Sequence, residues 1–245
     1  MTDTAVSDRT GLVQLLWLPL VVYYLVVFAG QLLPGFHAQS LVLTNTGEAT
    51  SISETALIEH LEALFWACGM AGYAASAWRR RALRLHWGWP LVFSALCFFA
   101  LGEETSWGQH LLDFRPPDVV IEANTQDELN LHNLHLAKVL GVSAQSPLYP
   151  YLGSVTAILN PLFYLLCVTA WLILPVWLRR RPPALRPAAL RHYPRHQDAF
   201  YAAFSVAVVL YLVIDRGFFD VGELFELTLA TAGAITGLVH RIDPG

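Results

Sequence analysis

Long apolar runs separated by short polar segments dominate the hydrophobic pattern of this chain. A helix needs about 20 consecutive apolar residues to cross a hydrocarbon core of about 30 Å. Five runs are predicted as spans on this basis, the fifth of them short, and a sixth run with two glutamates near its start is added to them. The predicted spans cover residues 12–33, 56–78, 87–108, 152–178, 199–214 and 222–239. The pattern therefore predicts an all-α fold, a bundle of about six transmembrane helices that forms one polytopic membrane domain over residues 1–245.

The arginines set the predicted orientation of this bundle. Arginine clusters follow the second span, at 79–84, and the fourth span, at 179–195. The positive-inside rule places both clusters in the cytoplasm. The first run is too long and too aromatic for a signal peptide, so six retained spans leave both termini in the cytoplasm. This topology puts 12 of the 15 basic residues inside and 15 of the 19 acidic residues on or toward the periplasmic side of a bacterial inner membrane.

Composition agrees with a lipid environment. Hydrophobic residues make up 55% of the chain and charged residues only 14%, whereas soluble domains are about 25% charged. This balance excludes a disordered protein, an ordinary cytosolic enzyme and a nucleic-acid binder with a basic face. The three cysteines each lie inside an apolar run, a pattern typical of small buried residues and not of a disulfide framework or zinc knuckle.

Polar residues gather at the end of the third span. Two adjacent carboxylates, Glu103 and Glu104, lie at the membrane edge, where ionisable residues are costly and indicate a functional site. On a helix with 100° per residue, Ser106, His110 and Asp113 would share one stripe with Glu103. Glu104 would then point about 100° away from this stripe.

A second polar cluster follows in the predicted outer segment. Thr125 and Glu128 match a capping box, so a helix is expected over 126–140, ending at Gly141. On that helix Glu128, His132 and His135 would lie on one face. Imidazole with carboxylate is a credible half-site for Zn, with Mn or Fe as alternatives. Hydrogen bonding of these groups to one another and to water is the simpler interpretation.

The remaining candidate residues would complete such a site. His110, with Glu103 or Glu104, would supply its other half from the third span. Residues expected to support the metal or line a substrate pocket are Trp107, Gln109, Asn124, Gln126, Asn130, Asn133 and Arg216. Arg216 could hold a lipid phosphate, although a structural salt bridge is the simpler expectation. Further acidic groups converge on the same leaflet from the starts of the second span (Glu59, Glu62) and the sixth span (Glu223, Glu226).

Two segments of this region also carry a family resemblance. Residues 103–109 (Glu-Glu-Thr-Ser-Trp-Gly-Gln) and 124–133 (Asn-Thr-Gln-Asp-Glu-Leu-Asn-Leu-His-Asn) resemble a signature of bacterial polytopic membrane proteins. The resemblance implies a multi-pass membrane fold and brings no activity with it. CAAX-type membrane proteases are similar in their paired glutamates, but Gly108 stands where they have an arginine. Alkaline-ceramidase-like membrane hydrolases share zinc-binding residue types, in another order and on seven spans.

These observations lead to several functional hypotheses. The first is a metal-dependent hydrolase that acts on a lipid or lipid-linked substrate at the periplasmic leaflet. Its metal, Zn in the first instance, would be held by His110, Glu128, His132 and His135 and would activate a water. Glu104 would be the general base and Glu103 a further catalytic carboxylate. The alternatives are a non-catalytic ligand-binding or scaffold protein in the membrane, a glutamate-dependent intramembrane protease, and a di-iron oxidase or hydroxylase.

Overall fold

The structure is a computed structural model. It describes residues 12–18, 20–22, 24–25, 57–124, 127–131, 133–149, 152–153, 155–214 and 222–242. Within these ranges the structure does not describe the side chains of some residues, His110 and Glu223 among them. The described residues are helical wherever they form regular structure, and their one isolated β-bridge joins Asn124 to Leu134. The predicted all-α class is therefore confirmed.

Helices occupy most of the predicted apolar runs. After a short 3₁₀ turn at Gln14–Leu16, the helices are α1 (Leu57–Ala82), α2 (Gly88–Glu104), α3 (Gln109–Leu112), α4 (Asp118–Ala123), α5 (Leu136–Val139), α6 (Thr156–Val168), α7 (Leu174–Arg179), α8 (Asp198–Ile214) and α9 (Gly222–Ile242). A π-helical turn at Thr169–Ile173 joins α6 to α7. Pro175 follows this turn, and proline cannot donate the backbone hydrogen bond that a regular α-helix requires.

The helix boundaries follow the predicted spans closely where the chain is described. Helices α1, α2, α8 and α9 cover the second, third, fifth and sixth runs, and the fourth run is covered by α6 and α7. Most of the first run lies outside the described residues. Among the described residues, the helical stretch Ile158–Arg179 is long and apolar enough to cross a membrane. Two further apolar stretches, Asp198–Leu212 and Leu224–His240, are shorter.

The chain forms two compact units. The first comprises Met1–Phe98 and Ala170–Gly245, and its core is the pairing of α1 with α9. A Cβ atom at Gly72 would lie 2.5 Å from the backbone carbon of Gly237, so the two helix backbones are in direct contact. Small residues permit this approach, which is typical of helix pairs in membranes.

Apolar side chains cover the outside of several helices, whereas hydroxyl groups lie inside. Leu162 and Leu165 of α6, and Val206 and Val209 of α8, are each more than half exposed. In contrast, Thr228, Thr231 and Thr236 of α9 are fully buried. Thr236 donates to the Ala232 carbonyl oxygen at 2.7 Å, so its polarity is satisfied within the helix. This distribution is the reverse of that expected for a helix surface in water.

The second unit, Phe99–Thr169, departs from the predicted local structure. Helix α2 ends at Glu104, so the expected helical stripe from Glu103 through Ser106 to Asp113 does not form. The helix expected over 126–140 is also wrong for the described residues. Residues 127–131 are not helical, and α5 begins only at Leu136. The described residues of the segment 109–150 therefore form three short helices, α3, α4 and α5, joined by irregular chain.

Candidate functional site

A left-handed turn follows α2 in the second unit. Three consecutive residues, Ser106, Trp107 and Gly108, have positive φ angles of 46°, 53° and 84°. This conformation costs a non-glycine residue about 1–3 kcal/mol and is found mainly where the surroundings enforce it. The indole of Trp107 folds back over Gly102, where a Cβ atom would lie 2.8 Å from the ring. The glycine at 102 is therefore required by the position of the indole.

Glu103 connects this turn by hydrogen bonds to the segment that follows Asp127. One carboxylate oxygen, Oε1, accepts a hydrogen bond from Trp107 Nε1 at 2.8 Å. The other, Oε2, accepts one from the backbone N–H of Leu131 at 2.8 Å. Both oxygens of this predicted catalytic residue are thus engaged in holding two segments together.

Glu128, predicted as a metal ligand, is also engaged by neighbouring side chains. Its Oε2 accepts a hydrogen bond from Ser106 Oγ at 2.9 Å and another from Asn130 Nδ2 at 2.6 Å. Ser106 is only 2% exposed and Asn130 4%. Hydrogen bonds to a carboxylate in buried surroundings are among the strong ones. The carboxylate therefore links the two halves of the signature that the sequence singled out.

Asn130 is the centre of a buried amide network. Its Oδ1 accepts from Asn124 Nδ2 at 3.2 Å and from the backbone N–H of Asn133 at 3.3 Å. Asn124 Nδ2 also approaches the Asn130 carbonyl oxygen at 3.2 Å. All three asparagines are buried. These residues, expected to support a metal or line a substrate pocket, hold the non-helical segment in its conformation.

Gln109 forms a third link and borders an open cleft. Its Nε2 donates to the Asp127 carbonyl oxygen at 3.2 Å, and its Oε1 accepts from the backbone N–H of Leu129 at 2.7 Å. The adjoining cleft has a volume of about 420 Å³. Its lining combines two carboxylates, Asp113 and Asp127, with Arg115 and with apolar side chains.

His135 has a different environment from the other candidate ligands. Its ring stacks on Tyr149 with centroids 5.0 Å apart. Its backbone N–H donates to the Ala123 carbonyl oxygen at 2.8 Å. The ring atom Nδ1 is buried and has no hydrogen-bond partner within the part of the chain that the structure describes. A buried polar atom of this kind is uncommon in proteins.

The other predicted site residues fall into two groups. Glu104 ends α2 and is half-buried. His132, Gln126, Arg216 and the side chain of His110 lie outside the described residues, so the proposed metal set stays a prediction. Ser106 was placed in the expected polar stripe but was given no role at the site, and Tyr149 was not predicted as a site residue. Nothing in the local pattern pointed to Tyr149.

A carboxylate pair lies in the first unit. Oxygen atoms of Glu62, on α1, and Glu226, on α9, come within 4.8 Å of each other. Glu62 is fully buried. The sequence placed both residues at the outer ends of their spans, and the pairing of α1 with α9 brings them together.

Comparisons with protein-family models, with curated proteins and with solved structures find no match to this chain.

Proposed function

We propose that this chain is a multi-pass protein of a bacterial inner membrane with six spans, both termini in the cytoplasm and the segment 109–150 on the periplasmic side. The support comes from the apolar stretch Ile158–Arg179 and from the exposed apolar faces of α6 and α8. Lipid is the solvent in which such faces are stable. The arginine distribution supports the direction of insertion.

Cysteine labelling tests this orientation with two matched substitutions. Ala144 and Ala184 are both exposed and fall on opposite sides in the proposed topology. In a background without Cys68, Cys97 and Cys167, Ala144→Cys is expected to react with a membrane-impermeant maleimide in spheroplasts. Ala184→Cys is expected to react only after permeabilisation. Labelling of Ala184→Cys in intact spheroplasts would contradict the topology, and the cysteine-free background controls for non-specific reaction.

We further propose that the second unit is a non-catalytic, prefolded binding module. The observation that carries this proposal is the engagement of Glu103, Glu128 and Gln109 by hydrogen bonds that join the two signature segments. These hydrogen bonds hold the two segments in one conformation, so the surface beside them is formed before a ligand binds. The cleft beside Gln109 is the surface they fix. Its carboxylates and arginine favour a small ligand that carries a cationic group.

A metal-dependent hydrolase is the second candidate, and the buried Nδ1 of His135 favours it. A buried ring nitrogen without a protein partner is an atom that a zinc ion could take. In that case His135, together with Glu128, His110 and His132, would hold the ion. When bound, zinc would lower the pKa of a coordinated water. Glu104 would be the candidate base for a lipid or lipid-linked substrate.

The variant Glu128→Gln, combined with a chelator, separates these two functions. If Glu128 is structural, the neutral side chain weakens two charge-assisted hydrogen bonds and lowers the free energy of unfolding by about 1–2 kcal/mol. EDTA is then expected to leave the unfolding midpoint of both wild type and variant unchanged.

The opposite pattern would favour the hydrolase. A bound ion stabilises the folded state by its own binding free energy. EDTA would then destabilise the wild type and leave Glu128→Gln unaffected, and metal analysis would find about one Zn per wild-type chain. Glu122→Gln, which removes an exposed carboxylate on α4, is the matched control and is expected to behave as wild type.

A further inference from the structure

One cavity in the first unit is surrounded by basic side chains. It has a volume of about 350 Å³ and lies where the last turns of α1 and α9 meet the loop before α8. Its lining includes three arginines, Arg80, Arg191 and Arg195, and three histidines, His192, His196 and His240. No carboxylate belongs to the lining among the residues that the structure describes. A cavity walled by one sign of charge focuses the electrostatic potential and attracts ions of the opposite sign.

The loop that carries four of these residues is firmly held. Tyr193 is buried and its hydroxyl donates to the Ala170 carbonyl oxygen at 2.7 Å. The backbone N–H of His196 donates to Tyr201 Oη at 2.9 Å. The indole of Trp89 packs against the Tyr193 ring in an edge-on arrangement, with centroids 4.6 Å apart. The cavity wall is therefore formed before any ligand arrives, which reduces the entropic cost of binding.

The charges around the cavity repel one another. Desolvation and the neighbouring His240 lower the pKa of His196 to about 3. Desolvation, together with His86, Arg191 and Arg80, lowers the pKa of His192. Both imidazoles are consequently neutral at pH 7, and the arginines retain the positive charge. Among the described residues, Arg191 and Arg195 have no carboxylate partner.

We propose that this cavity binds a phosphate group. Arginine donors match phosphate oxygens in pairs, and a ligand cavity of this size accommodates a phosphate together with its substituent. The phosphate could belong to an anionic phospholipid headgroup or to a soluble phosphorylated compound. Basic pockets at the cytoplasmic ends of spans are typical binding places for such headgroups. The headgroup source rests on the proposed topology, whereas phosphate binding rests on the first unit alone and not on the function of the second unit.

The test uses the full chain in detergent and two probes. Native mass spectrometry compares retention of phosphatidylglycerol with that of phosphatidylcholine. Thermal unfolding compares sodium phosphate with sodium chloride at equal ionic strength. The variant is Arg191→Gln with Arg195→Gln. Both side chains are exposed, so folding is expected to persist, and Arg195→Gln alone replaces the pair if it does not. The control, Arg84→Gln with Arg180→Gln, removes two exposed arginines that do not line the cavity.

We expect the variant to bind the favoured probe about tenfold more weakly than wild type, while the control binds as wild type does. Selective retention of phosphatidylglycerol would identify a headgroup site, and stabilisation by phosphate alone would identify a soluble ligand. Equal behaviour of wild type and variant with both probes would overturn the proposal. An equal loss in the control would also overturn it, because binding would then reflect net charge alone.

Discussion

Gly72→Leu is expected to prevent the first unit from forming its α1–α9 core. A Cβ atom at this position would lie 2.5 Å from the Gly237 carbon, 2.6 Å from its oxygen and 2.9 Å from the Leu238 nitrogen. Each of these neighbours is a backbone atom of α9, so rotation of a side chain cannot relieve the clash. Overpacking commonly costs 1–3 kcal/mol, and here two helices must separate. We expect a loss of about 3 kcal/mol or more, a large share of the stability of a typical domain.

The measurement is the fraction of monodisperse protein after size exclusion in detergent, followed by the unfolding midpoint. Gly72→Ala is expected to show the same defect in milder form. Gly88→Leu is the matched control, because nothing lies within 4 Å of a Cβ atom there. A Gly72→Leu protein as stable as Gly88→Leu would mean that α1 and α9 are not in backbone contact. The same variant would separate Glu62 from Glu226, whose proximity depends on this helix pair.

The long helices could be predicted from the sequence because their signal is carried by many residues. An apolar run of about 20 residues leaves few alternatives to a helix, whatever its neighbours are. The bounds of α8 and α9 accordingly agree with the predicted runs to within a few residues. The contact at Gly72 and Gly237 could not be located in this way, since hydropathy does not distinguish the packed face of a helix from its lipid-facing one.

The helix over 126–140 was mispredicted because hydrogen bonds to residues far away in the sequence outweigh the local helix preference. A helix over 126–140 would need the backbone N–H groups of Leu129 and Leu131 for its own hydrogen bonds. Instead they donate to Gln109 and Glu103, about 20 and 28 positions earlier in the chain. The capping-box pattern at Thr125 and Glu128 reports only local preference. The Glu128 carboxylate is meanwhile used by Ser106, a partner that no sequence window around it contains.

A second carboxylate in the amide network around Asn130 is expected to destabilise the second unit strongly. Asn130→Asp replaces the Nδ2 that donates to Glu128 at 2.6 Å with a carboxylate oxygen. The Oδ1 of residue 130 is held by Asn124 and by the Asn133 N–H, so turning the group over would break those bonds instead. Two carboxylates in contact within a buried network are strongly unfavourable. We expect a loss of about 3 kcal/mol or more in the free energy of unfolding at pH 7.

The pH dependence and a compensating substitution make this prediction specific. In Asn130→Asp, a proton shared by the two carboxyl groups would restore an O–H···O bond. The folded variant therefore binds a proton more tightly than the unfolded chain, and its stability is expected to rise as the pH falls from 7 toward 5. Asn130→Ala also loses the network but gains no such pH dependence. Adding Glu128→Gln to Asn130→Asp exchanges donor and acceptor, so the double variant is expected to recover most of the lost stability at pH 7. Denaturant unfolding at pH 5 and pH 7 measures all three variants. If the double variant were no more stable than Asn130→Asp alone, residues 128 and 130 would not be hydrogen-bonded partners.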